Sequence, residues 1–222
     1  MKSSKLLLAA SITLGLFAAT SASAQFHLPT SLSSTSSSSS TDALAAQDAL
    51  VKSFVASQSE VLAAQSLLAQ AYGLKDQAKL CDDQQKALQS TSLDTPTLEK
   101  TVDISSKAND EISAQQAKQT TLTTEEKEYY AQSLPHFAKG VLGTHDVIVQ
   151  AEKFTSTAKG SMSGLSGLTT GMTKLKAGAF VAKSTPSYSK NLFDVFRKTM
   201  TISQNNGVKV PADATQALGG LE

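Results

Sequence analysis

The chain has 222 residues, and its 20 basic and 19 acidic side chains nearly balance. This balance argues against general nucleic-acid binding, which needs a basic surface. The single cysteine, Cys81, excludes an internal disulfide, so stability must come from packing. Cys81 shares helical spacing with Leu74, Ala78 and Leu88, which favours a small buried side chain.

The first 24 residues have the pattern of a secretory signal peptide. Lys2 and Lys5 precede an uncharged apolar run over residues 6–19, and residues 22–24 read Ala-Ser-Ala, a small-x-small cleavage site. The pattern predicts cleavage before Gln25 and export to a bacterial periplasm or beyond. No later run reaches the roughly 18 apolar residues of a membrane span, so none is expected in the mature chain.

Three segments follow the signal peptide. Residues 25–41 are rich in serine, have almost nothing apolar to bury and are predicted to be a disordered linker. Residues 42–205 are predicted to form one helical bundle domain, and residues 206–222 a weakly structured tail. Charge is uneven, since residues 26–135 carry 8 basic and 14 acidic side chains, whereas residues 136–222 carry 10 and 5. The two halves either pack through complementary surfaces, or the second presents a basic face to an anionic membrane or polysaccharide.

The first predicted helix begins with Asp42 as its cap and reaches Tyr72, with Gly73 as its C′ residue or a kink. Its nearly heptad-spaced stripe, typical of coiled-coil packing, comprises Leu44, Val51, Phe54, Val55, Val61, Leu62, Leu68, Ala69 and Tyr72. Gln58 and Gln65 fall on this stripe and make it partly polar. A second helix follows over residues 74–90.

Two more start signals mark later helices. Asp94 or Thr95 can cap a third helix with Pro96 in its first turn, and the weakly apolar inner face of this helix predicts a peripheral position. Thr123 and Glu126 fit a capping box that starts a fourth helix.

The fourth helix contains residues that weaken it. Pro135 is expected to kink or break it, and Gly140 and Gly143 to soften it. A last, aromatic helix is predicted after Thr185-Pro186, ending at Asn206-Gly207. Together the patterns predict an all-α fold, an up-and-down bundle of four to six helices kinked at Pro135.

A glycine-rich stretch between these two helices is the most unusual feature. Its regularly spaced residues, predicted as a helix-contact or membrane face, are Gly160, Gly164, Gly167 and Gly171 with Met162, Leu165, Leu168, Met172 and Leu175. The stretch is either a flexible joint, a helix that another helix approaches closely, or a segment lying on a membrane.

The motifs of several activities are missing from the sequence. It has no C-x-x-C-H, no Glu-x-x-His pair, no G-x-S-x-G and no phosphate-binding loop. His27, His136 and His145 are too scattered to predict a zinc site. No catalytic residue, cofactor or metal is therefore expected, and the protein is predicted not to be an enzyme.

The predicted function is that of an exported helical bundle acting by binding or self-association, with a protein or envelope component as partner. One alternative is a membrane-active or pore-forming protein that uses residues 160–182, through peripheral membrane contact. A weaker alternative is a carrier of hydrophobic ligands, with Phe193, Phe196 and Met200 lining a gap between helices.

Overall fold

Repeated apolar stripes fold into helices throughout the described part of the chain. A computed structural model describes residues 37–89, 94–162 and 175–221, and these ranges contain helices and turns but no strand. The helices are α1 (Ser37–Ala71), α2 (Lys75–Leu88), α3 (Thr95–Lys118), α4 (Thr124–Met162), α5 (Lys176–Asn205) and α6 (Ala212–Gly219). The predicted all-α class is confirmed. The predicted signal peptide and most of the predicted linker lie outside the described residues.

The first five helices alternate in direction, which makes this an up-and-down bundle. Pairs of contacting residues show the alternation because their numbers rise on one helix as they fall on the other. The pairs are Gln77–Ile104 and Gln84–Thr101 for α2 and α3, Ser57–Thr144 and Tyr72–Tyr130 for α1 and α4, and Phe154–Gly178 and Phe137–Phe196 for α4 and α5. α2 folds back along α1, where Gln85 Nε2 donates to the carbonyl oxygen of Ser59 at 3.0 Å.

Local capping fixes the helix ends that the sequence predicts. Gly73 and Gly207 both have a φ of 69°, as the C′ position after a helix requires. The side chain of Asp94 accepts from the Thr97 backbone N–H at 3.0 Å, which makes Asp94 the N-cap of α3. Thr123 and Glu126 form the predicted reciprocal capping box before α4. These predictions are confirmed.

Proline does not interrupt either helix that contains it. α4 continues through Pro135, so of the predicted kink or break the break is absent. α5 begins at Lys176, eleven residues before the predicted start, and includes Pro186. The Thr185 hydroxyl donates to the carbonyl oxygen of Val181 at 2.6 Å, and the Ser184 hydroxyl to that of Phe180 at 3.0 Å. These hydroxyls provide side-chain donors in the turn where proline lacks an N–H.

Helical structure extends further at both ends than the sequence predicts. α1 begins at Ser37, so residues 37–41 are helical rather than linker and Asp42 is not the cap. Once the buried part of a helix has formed, each residue added costs little. The tail contains α6, whose Ala214 and Ala217 are buried against the bundle. Tertiary contact therefore orders a segment that had too few apolar residues to predict a helix.

Two apolar clusters form the interior. The first contains Leu62, Leu68, Tyr130, Phe137 and Phe196, among others. The second, towards the start of α1 and the end of α4, contains Leu50, Phe54, Leu98, Phe154 and Val181.

Two predictions from the sequence concern residues of the first cluster. Cys81 is fully buried there, as predicted, and burial raises the pKa of its thiol to about 12. Phe196 and Met200 are packed in the same cluster, with Phe193 against it, instead of lining a gap between helices.

Candidate functional site

A layer of buried polar side chains lies where the two apolar clusters meet. This polar layer comprises Ser57, Gln58 and Gln65 of α1, Ser105 and Asn109 of α3, Thr144 of α4 and Tyr188 of α5, all no more than 4% exposed. The inner face of α3, predicted to be only weakly apolar, is buried here and contributes Ser105 and Asn109 to the layer. Ser105 and Asn109 face Gln65 of α1, so polar contacts join these two helices in addition to the apolar contacts of the two clusters.

Part of the polar layer is well hydrogen-bonded. Gln65 Nε2 lies 2.8 Å from Asn109 Oδ1 and 2.9 Å from both the carbonyl and hydroxyl oxygens of Ser105. The hydroxyls of Ser57 and Thr144 lie 2.8 Å apart, and each is within 2.9 Å of the Gly140 carbonyl oxygen. These bonds tie α1 to α3 and α4.

Other atoms of the polar layer have no partner. Both side-chain amide atoms of Gln58, Oε1 of Gln65, Nδ2 of Asn109 and the Tyr188 hydroxyl are buried without a hydrogen bond. The Tyr188 hydroxyl lies among Gln58, Thr144 and Ser105 but reaches hydrogen-bonding geometry with none of them. A buried polar atom without a partner costs about 1 to 3 kcal/mol. Every side chain of the polar layer is of a type that is neutral near pH 7, so the layer holds no buried charge.

Tyr188→Phe is expected to make stability less sensitive to alkaline pH. Burial raises the pKa of Tyr188, so above pH about 10 the unfolded chain releases a proton that the folded chain keeps. Above that pH the free energy of unfolding then falls by about 1.4 kcal/mol per pH unit. Phenylalanine has no hydroxyl to ionise, so the variant lacks this contribution. Urea unfolding at pH about 8 and about 11 gives the change in the free energy of unfolding for each protein. An equal change in both proteins would contradict the buried position of this hydroxyl.

Glycine allows close approach at three positions in the described fold. A Cβ on Gly140 would lie 2.6 Å from Val61 Cγ2, and one on Gly143 would lie 3.1 Å from Ser57 Cβ. A Cβ on Gly178 would lie 2.9 Å from the Phe154 ring. The glycines expected to soften α4 are therefore the contact points of α1 with α4, and Gly178 lets α5 meet α4.

The predicted glycine-rich face is described only in part. Gly160, in the last turn of α4, is exposed, and apart from its chain neighbours and the nearby backbone of α4, no described residue lies within 4 Å of where its Cβ would be. Met162 is the last residue of α4, and Leu175, which precedes α5, packs against the second apolar cluster. The remaining predicted residues, Gly164, Leu165, Gly167, Leu168, Gly171 and Met172, lie outside the described residues.

An apolar groove of about 360 Å³ runs between the end of α4 and the start of α5. This α4–α5 groove is lined by Phe154, Thr155, Ala158, Lys159, Leu175, Ala179, Ala182 and Lys183. Its volume lies at the lower end of the roughly 300 to 1,000 Å³ of ligand pockets. Of the lining residues, Leu175 alone belongs to the predicted glycine-rich face. The other lining residues lie at the end of α4 and the start of α5, and the sequence does not indicate that these two helix ends pack together.

The edge of the α4–α5 groove is positively charged. Lys159 and Lys183 are exposed, and neither makes an ion pair with any described residue. Glu152 lies about two turns before Lys159 on the same side of α4 and pairs with neither lysine. An anionic group at this edge would therefore meet two uncompensated cations above an apolar floor.

Two other grooves differ in character. One of about 810 Å³, between α1, α2 and the start of α4, is lined by charges of both signs, including Lys75, Asp82 and Glu125. Another of about 480 Å³ lies beside Asp48 and Lys52 of α1. Lys79 and Asp83 form an ion pair in the first of these grooves, and the mixed charges of both grooves favour no one ligand charge.

Metal chemistry and membrane spanning find no support in the part of the chain that is described. His136 Nδ1 pairs with Glu60 Oε2 at 2.6 Å, and no cluster of three potential metal ligands occurs among these residues. None of the described helices combines the length and apolarity that crossing a membrane requires. No protein-family model matches the chain, and neither a curated protein nor a solved structure shows significant similarity to it.

Proposed function

We propose that this protein is an exported, non-enzymatic binding protein whose α4–α5 groove takes a single-chain anionic amphiphile, such as a fatty acid. The observation that supports this is an apolar floor with two lysines at its edge, neither of which forms an ion pair with a described residue. Export rests on the sequence pattern of residues 1–24.

Each part of the α4–α5 groove matches one part of such a ligand. Phe154, Ala158, Leu175 and Ala182 present carbon surface, where burying an alkyl chain gains about 0.8 kcal/mol per CH₂ group. The ammonium groups of Lys159 and Lys183 remain in water at the edge, where a carboxylate would also stay hydrated. This division resembles how lysine itself buries its stem and exposes its charge.

The proposal bears on the other functions that the sequence suggests. Leu175 belongs to both the predicted glycine-rich face and the α4–α5 groove, so it would contact the ligand in the groove. The pore-forming alternative uses residues 160–182, of which residues 163–174 lie outside the described residues. The carrier hypothesis is retained, but with its ligand between α4 and α5 instead of beside Phe196.

Titration calorimetry with laurate and with dodecanol, which share one alkyl chain, tests the proposal. Laurate is expected to bind at one site, and Lys159→Gln/Lys183→Gln to weaken its binding about 2- to 30-fold, since each exposed charge contributes about 0.2 to 1 kcal/mol. Dodecanol should be insensitive to this change because it carries no charge. A matched control, Lys118→Gln/Lys139→Gln, removes two exposed lysines away from the groove.

Filling the α4–α5 groove is the complementary test. Ala179 is exposed in the groove wall, so Ala179→Trp should occupy the space without disturbing the core. Binding of both laurate and dodecanol should be lost while circular dichroism and the unfolding midpoint stay unchanged. Laurate binding that is unaffected by this substitution would show that the ligand lies elsewhere and overturn the proposal.

A further inference from the structure

A column of basic side chains runs along the outer face of α5. Lys176, Lys183, Lys190 and Arg197 follow one another at seven-residue intervals, and all four are exposed. Seven residues are nearly two helical turns, so the four lie on one side of the helix. At 1.5 Å per residue this basic column is about 31 Å long. Its members lie opposite the buried face of α5, which includes Val181, Leu192 and other core residues.

Few acidic groups compensate the basic column. Asp194 is the one acidic residue of α5, and it pairs with Arg197 at 3.2 Å. On α3, Asp110 accepts a hydrogen bond from Asn191 at 3.0 Å and makes no described ion pair. Lys176, Lys183 and Lys190 have no ion-pair partner among the described residues. Three free cations in a row form an attractive surface for an extended anion.

The basic column joins the α4–α5 groove at its start. Lys183 belongs to both, and Leu175, just before Lys176, lines the groove. A linear charged polymer would contact the column and leave the apolar groove unused. A bilayer offers both chemistries together, because anionic headgroups form a plane and acyl chains lie directly beneath it.

We infer that the basic column and the α4–α5 groove together form a docking surface for an anionic lipid bilayer. The column holds the outer face of α5 along the headgroups, and the groove receives one acyl chain next to Lys183. This inference rests on the proposed function, since it names the bilayer as the source of the amphiphile. It requires no membrane span.

Vesicle co-sedimentation of the purified protein tests the docking surface. Vesicles of phosphatidylcholine mixed with phosphatidylglycerol should bind the protein, and pure phosphatidylcholine vesicles should bind it much less. Lys176→Gln/Lys190→Gln removes two cations of the column that do not line the groove, and is expected to lower vesicle affinity about 25-fold at low salt, or about fivefold per lysine. Lys118→Gln/Lys139→Gln, which removes the same charge elsewhere, should leave affinity nearly unchanged.

Laurate titration of the same variants separates the two proposals. Lys176→Gln/Lys190→Gln should keep its laurate affinity, because neither lysine lines the α4–α5 groove. Intact laurate binding with equal binding to both kinds of vesicle would overturn the docking surface alone. Absent laurate binding would overturn the proposed function and the groove's part in docking. Binding to soluble dextran sulfate but not to anionic vesicles would identify a polymer site and also overturn the docking surface.

Discussion

Gln65→Met and Gln58→Met are expected to change stability in opposite directions, although both glutamines are completely buried in α1. Gln65→Met should lower the free energy of unfolding by about 2 to 4 kcal/mol. It removes the Nε2 donor and leaves Asn109 Oδ1 and the Ser105 oxygens without it, at about 1 to 3 kcal/mol for each orphaned group. The unpaired Oε1 of Gln65 offsets part of this loss.

Gln58→Met should raise the free energy of unfolding by about 1 to 2 kcal/mol. Neither amide atom of Gln58 has a partner, so methionine removes a desolvation cost and breaks no hydrogen bond. The substitution is close to volume-conserving, so little strain is added. Urea unfolding of both variants measures the difference. Two losses of equal size would contradict the pairing described for the polar layer.

Gly140→Ala is the second substitution with a large expected effect. Its new Cβ would lie 2.6 Å from Val61 Cγ2 and 3.1 Å from the Val61 backbone nitrogen, so α1 and α4 must separate. Overpacking of this kind costs about 1 to 3 kcal/mol. Urea unfolding measures this: the midpoint should fall, while the slope of the unfolding free energy against urea concentration should stay the same.

Gly160→Ala provides the matched control in the same helix. Gly160 is exposed with open space around it, so alanine should stabilise α4 by about 0.4 to 1 kcal/mol. A loss at Gly160 equal to that at Gly140 would mean that glycine at both positions serves the backbone and not a close helix contact.

Gly140 and Gly160 show which features can be predicted from neighbouring residues in the sequence and which cannot. Glycine near a proline predicts a weakened helix, and a regular glycine spacing predicts a contact face, yet Gly140 makes the tight contact and Gly160 has space. What distinguishes them is a neighbour about 80 residues earlier, Val61. The start of α3 was predictable because its cap, Asp94, acts within three residues, unlike the starts of α1 and α5. Helix pairing was not, since it depends on the whole topology.

The polar layer illustrates the same limit. Gln58 and Gln65 were visible as polar positions on an apolar stripe, and α3 was visible as weakly apolar. Only the fold shows that these two features meet, with Gln65 bonded to Ser105 and Asn109. Two weak apolar faces can form an interior when their polar groups pair with each other, which hydrophobic periodicity does not register.

The break in the apolar pattern at the start of α5 carried a usable signal. After Leu175 the periodic pattern fails because Lys176 and Lys183 rotate onto the preceding apolar arc. In the structure, α5 buries a face that includes Gly178 and Val181, and both lysines are exposed. The break in the pattern thus marks the beginning of a new helix and of the α4–α5 groove.

The most direct test of ligand binding in the α4–α5 groove is a nuclear magnetic resonance titration of the isotopically labelled protein with laurate. Saturable shift changes are expected for the groove residues Phe154, Ala158, Ala179 and Ala182, with the polar-layer residue Asn109 unaffected. Changes that do not saturate, or that avoid these four residues, would contradict binding in the α4–α5 groove.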